Sequence, residues 1–205
     1  MKKYLAMVIL FFCANYSFAQ KKLVKDLDFD GLKDTVYFDP ETSAIICRLS
    51  SAKFKKVKSK SLEASKDNAS IEATKNGFEF HVNWMRAGYA NQFRYNKVLK
   101  KVQLIGMSRY EFGNATNDGS GESSVNLLTG DYIGNWNYFD HLANNEKGEL
   151  LKIPSIKTKM FLKQTFLEDF SEATFYNYAD NCSKLYEQAK AKTKKLRSMR
   201  NPKLS

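Results

Sequence analysis

The chain has 205 residues, 33 Lys and Arg against 22 Asp and Glu, and a formal net charge of +11. With 43% hydrophobic residues it holds enough apolar material for one core, which excludes a disordered polyelectrolyte, while its length excludes several domains. Three cysteines and two histidines leave almost nothing from which to build a zinc or iron–sulfur site.

Residues 1–19, MKKYLAMVILFFCANYSFA, have the three parts of a secretory signal peptide: Lys2 and Lys3, an apolar run through Phe12, and a short segment ending Ser17-Phe18-Ala19. The run is too short to span a bilayer as a mature helix, so cleavage before Gln20 and export to the periplasm or the extracellular space are expected. A lipoprotein would need small residues before Cys13, where Phe11 and Phe12 stand. What remains is one β-rich domain over residues 20–205, with 31 basic and 22 acidic residues (+9) and no further apolar run of membrane-spanning length. In an oxidising compartment Cys47 and Cys182 either form a disulfide or stand as separate buried thiols.

The first distinctive element is D-L-D-F-D-G-L-K-D-T-V-Y-F, from Asp26 to Phe38. Between Asp26 and Glu41 there are six acids and one lysine, a local charge of −5 inside a basic protein, and packing like charges that closely is unfavourable unless something neutralises them. Asp26, Asp28, Asp30 and Asp34 follow D-x-D-x-D-G-x-x-D. Calcium takes six to eight oxygens, and a tight loop with alternating carboxylates converges them on one point. Gly31 supplies the sharp turn, Leu32 a backbone carbonyl, and Asp34 a ligand directly or through water. A structural Ca2+ is therefore the expected cofactor. An EF-hand would continue with Glu at the twelfth position and a helix; here Tyr37 stands there, inside a strand-like T-V-Y-F-D.

The loop resembles the calcium loops of integrin-type FG-GAP and related VCBS repeats, which lead into a β-strand. The resemblance covers about a dozen residues of a single copy, so it implies the metal loop and not a propeller. The chain as a whole resembles small exported bacterial proteins that pair such a segment with a β-rich body, which implies a location and an architecture but no activity.

Strands are then predicted at 35–39, 44–50 and 53–58, the last lysine-rich as an edge strand is. In G-F-E-F-H-V-N-W, Phe78, Phe80, Val82 and Trp84 point one way and Glu79, His81 and Asn83 the other. Asn76-Gly77 signals a hairpin pairing 70–74 with this strand. Further strands are expected at 92–97, 102–112, 125–128, 131–139 and 156–162. Beyond about residue 163 the period changes: Phe175, Tyr178, Cys182, Leu185, Ala189, Thr193 and Leu196 form one stripe of a helix over 172–197, with Ser171 as N-cap. The fold class is α+β, a mainly antiparallel meander, sandwich or curved sheet over about 26–163 with a C-terminal amphipathic helix.

Other features carry chemistry less specifically. The Gly/Asn/Ser-rich loop 113–124 holds Asn117, Asp118 and Glu122, as a ligand loop would, and also suits a hairpin tip. The lysine cluster Lys53, Lys55, Lys56, Lys58 and Lys60 and the basic C-terminal tail suit a polyanion or a solvated face, with nucleic acid disfavoured. Two functions follow. One is a calcium-stabilised, non-catalytic module binding an envelope or extracellular protein or a glycan. The other is a hydrolase of glycans or peptides in which Glu79, Asp118 and Glu122 converge; two carboxyl groups roughly 5 to 10 Å apart in a deep cleft would mark it.

Overall fold

The computed structural model describes residues 22–200; the expected signal segment 1–19 and Lys203 of the basic tail lie outside the described residues. The strands form two antiparallel sheets, with a long C-terminal helix over the larger one. The small sheet runs in order β1 (Leu23–Lys25), β2 (Asp34–Asp39), β3 (Ala44–Arg48) and β4 (Lys56–Lys58).

The large sheet is a meander. It comprises β5 (Ala69–Thr74), β6 (Gly77–Asn83), β7 (Ala87–Asn96), β8 (Lys101–Glu111), β9 (Gly121–Asn126) and β10 (Asp131–Asp140). Past β10, two short strands share its outer edge: β11 (Glu149–Lys152) pairs with its second half and β12 (Ile156–Lys159) with its first. A short helical turn, α1 (Ala143–Glu146), joins β10 to β11. The expected architecture is thus realised, with β1 and β11 as additions and with residues 53–55 in a turn: Lys53 and Phe54 have φ of 54° and 57°, which breaks the strand expected there.

The alternation read in β6 decides the core. Phe78, Phe80 and Val82 are fully buried, and Phe78 stacks on Phe93 of β7 at 5.1 Å. Trp84 departs from that face and is 40% exposed, because β6 ends at Asn83 and the chain turns, with the Trp84 amide bonded to the Ala87 carbonyl. Helix α2 (Glu172–Arg200) covers the inner face. The Thr174 hydroxyl accepts the Ser171 amide at 3.4 Å, so one donor at the helix entrance is satisfied from the first turn. Phe175 stacks on Tyr89 at 4.0 Å, while Tyr178 and Cys182 are fully buried against β9, where Tyr178 shares a 2.9 Å hydrogen bond with Ser123. Each such buried side chain contributes about 1.5–3 kcal/mol. Leu185 and Ala189 pack on the rim, and by Leu196 the stripe is 48% exposed. No helix of the described residues is long and apolar enough to cross a membrane.

Candidate metal centre

The acidic segment forms the connection between β1 and β2. Leu27 is buried beneath it, while Phe29 and Leu32, the other apolar residues between the acids, project outward. Phe29 has φ of 64° and Gly31 of 90°, so the chain coils tightly and brings the acids to its inner side. Oxygens of Asp26, Asp28 and Asp34 lie within 4.8 Å of one another. Two ligands of one calcium ion, each about 2.4 Å from it, are at most about 4.8 Å apart, so this donor set fits a single hard cation.

Asp34 is fully buried and Asp28 nearly so, at 5% exposure. Their donors are backbone amides and serine hydroxyls. Asp34 accepts the Leu27 amide at 2.7 Å and the Asp28 amide at 3.3 Å on one oxygen, and the Ser50 amide at 2.7 Å on the other. Asp26 accepts the amides of Phe29 (2.7 Å) and Gly31 (3.1 Å). Asp28 accepts the amides of Asp30 and Ser51, both at 3.3 Å, and the Ser51 hydroxyl. Among the described residues, no Lys or Arg ion pair involves these aspartates. The turn between β3 and β4 therefore closes over the loop through Ser50 and Ser51, which the sequence pattern did not mark as part of the site.

The fourth acid goes elsewhere. Asp30 turns toward the Leu32 amide (2.8 Å) and the Ser50 hydroxyl (2.7 Å), and these two bonds, the amide first, hold its carboxyl below the usual carboxylate range. Of the five expected donors, three carboxylates converge, Asp30 lies outside that group, and Leu32 is exposed beside it.

Cys47, on β3, and Cys182, on α2, are separate free thiols, both fully buried. They are not bridged to each other here: Cys47 lies on the small sheet and Cys182 on the helix beside β9. Burial, then the charges of Asp34 and Asp28, push the Cys47 thiol well above its ordinary range, whereas Cys182 lies 3.4 Å from the Ser123 hydroxyl.

The remaining acids do not assemble. Asp118 accepts the Phe139 amide at 2.7 Å and faces Lys190 of α2 at 3.6 Å. Glu122 projects from the opposite side of β9, in a depression of about 270 Å³ with Tyr110, Ser124 and Asn135. Asn117 has φ of 58° in a loop closed by its neighbours, the Asn114 side chain accepting the Thr116 amide at 2.9 Å and the Asp118 amide at 3.1 Å. Glu79 shares the outer face with Glu122, but β7 and β8 intervene, a separation of roughly 14 Å across strands. Glu79 instead lies 3.4 Å from His81, with Glu72 at 4.0 Å on the other side.

Comparison of the chain with known proteins gives no match: no family model fits it, and no curated protein or solved structure is significantly similar to it.

Proposed function

We propose that the chain is an exported, non-catalytic binding module, acting in the periplasm or outside the cell, whose small sheet is stapled by one structural Ca2+ at Asp26, Asp28 and Asp34. The observation that carries this reading is the convergence of three carboxylates, two of them buried, within 4.8 Å of one another. A divalent cation relieves their mutual repulsion and ties β1, β2 and the β3–β4 turn into one unit. Asp30 and the Leu32 carbonyl are the remaining donors of the FG-GAP/VCBS-like motif. The scattering of Glu79, Asp118 and Glu122 over two faces supports binding over hydrolysis, since paired-acid chemistry needs two carboxyl groups roughly 5 to 10 Å apart.

Thermal unfolding with calcium and with chelator tests the metal. With free calcium about a hundredfold above Kd, Tm should rise by about 5 to 10 °C, and Asp28→Ala should abolish the rise. An unmoved Tm in the parent protein overturns the calcium reading. Capture of envelope proteins and a glycan array test the binding role, and turnover of glycan or peptide substrates would replace it with the hydrolase.

A further inference from the structure

Four chain reversals meet at one end of the molecule. The β3–β4 turn is bonded to the acidic loop through Ser50 and Ser51. Lys25, entering that loop, donates to the carbonyls of Thr74 and Lys75 in the β5–β6 turn, the second at 3.0 Å. Lys97, opening the β7–β8 turn, lies over the Phe29 ring at 4.8 Å.

These tips expose what a folded chain ordinarily buries. In the acidic loop Phe29 is 45% and Leu32 59% exposed, and in the β3–β4 turn Phe54 is 48% exposed. In the β7–β8 turn Val98 is 89% and Leu99 48% exposed. Phe29 and Phe54 also share a backbone feature: both have positive φ, at 64° and 57°, a conformation costly for a bulky side chain. At Phe29 the positive φ belongs to the coil of the acidic loop and at Phe54 to the β3–β4 turn, and both tight loops carry their phenylalanine outward.

Lysines dominate the exposed charge around them, against the single exposed carboxylate of Asp30. Lys33, Lys53 and Lys55 are exposed on the first two loops, and Lys75, Lys97 and Lys100 on the others. Between them opens a cavity of about 420 Å³ lined by Phe29, Asn76, Arg94, Tyr95, Asn96 and Lys97. Its donors are cationic or amide, with aromatic walls. Of the acids at the same end, Asp28 and Asp34 are buried and Asp26 is half-buried, while Asp30 is exposed and bonded to the Leu32 amide and the Ser50 hydroxyl.

We propose that this end docks on the surface of an anionic phospholipid bilayer, with Phe29, Leu32, Phe54, Val98 and Leu99 entering the headgroup–acyl boundary and Arg94 and Lys97 holding a lipid phosphate in the cavity. Single apolar side chains on separate tips, interleaved with lysines, match an interface in which apolar groups insert and ammonium groups stay among the headgroups. A protein partner would call for a continuous apolar centre with a polar rim, which these separated tips do not form. The inference names the partner of the binding module proposed above and rests on that reading.

Co-sedimentation of the mature chain with phosphatidylcholine vesicles, with and without about 30% phosphatidylglycerol, tests it. Binding should appear with the anionic vesicles, and Val98→Asp/Leu99→Asp should weaken it about tenfold or more at unchanged Tm. Met85→Asp, a control at the opposite end where Met85 is 92% exposed, should leave binding as it is. No binding to anionic vesicles, or equal loss from the Met85 variant, overturns the proposal, as does binding that the tip variants leave intact. A chelator arm separates the two readings: retained vesicle binding with a Tm indifferent to calcium removes the metal and leaves the docking.

Discussion

Ser51 donates twice to the same oxygen of Asp28, through its amide at 3.3 Å and through its hydroxyl. The Ser50 hydroxyl makes the parallel contact to Asp30 at 2.7 Å. The two differ in burial, since Asp28 is 5% exposed and Asp30 stands at the surface. Ser51→Ala should therefore cost about 1.5–3 kcal/mol, lowering Tm by several degrees, whereas Ser50→Ala should stay within about 1 kcal/mol because water replaces the lost donor. Denaturant titration of both variants checks the order; a larger loss from Ser50→Ala would mean that burial does not govern this loop.

Two glycines make an opposed pair. Gly31 has φ of 90° with no atom within 4 Å of where a Cβ would stand, so Gly31→Ala meets backbone strain alone, about 1 kcal/mol. Gly77 has ordinary φ, yet a Cβ there would run into the Phe93 carbonyl of β7. Gly77→Ala should separate β6 from β7 and cost several times more, about 3 kcal/mol or above, as read from equilibrium unfolding.

Thiol chemistry follows from enclosure. Native protein should be inert to a thiol reagent, and unfolding should release both Cys47 and Cys182, with identical mobility in reducing and non-reducing gels. A mobility difference that a reductant removes would place the two in a bridge.

Glu172 opens α2, where the helix dipole favours its charge, but it is half-buried, and burial dominates in raising its pKa above the ordinary 4.5 even though the Glu63 amide donates to it at 3.1 Å. A carboxyl whose folded pKa exceeds its unfolded one holds its proton more tightly in the folded chain. Its contribution is complete below the unfolded value and is lost as pH rises through the folded one. Glu172→Gln keeps an acceptor for the Glu63 amide and should gain stability relative to the parent as pH rises from below 4.5 through the raised folded value. A constant difference between the two proteins across that range would contradict the burial argument.

Much of this fold was legible because two periods dominate it. The β6 alternation buries Phe78, Phe80 and Val82 completely, and the 3–4 spacing of α2 buries Phe175, Tyr178 and Cys182 before fading at Leu196. Asn76-Gly77 correctly announced the β5–β6 hairpin, yet Thr74 pairs with Gly77 across a two-residue turn, so the glycine serves close strand approach rather than a left-handed turn. Strands β1 and β11 are too short, at three and four residues, to display a period and exist through the partners they pair with. The acidic motif located three carboxylates that converge. It did not announce that Ser50, sixteen residues beyond Asp34, would hold Asp30 outside that group, because side-chain hydrogen bonds across the fold leave no local pattern.

The divided outer margin of β10 has a consequence of its own. On that flank the large sheet ends in two four-residue strands, with Lys157 and Lys159 exposed on the second. On the other flank β1 and β2 pack beside β5, and Lys25 occupies the Thr74 and Lys75 carbonyls. Neither flank presents a long, flat ribbon of free amides and carbonyls to another molecule, so the fold resists fibril growth by strand addition at both sides.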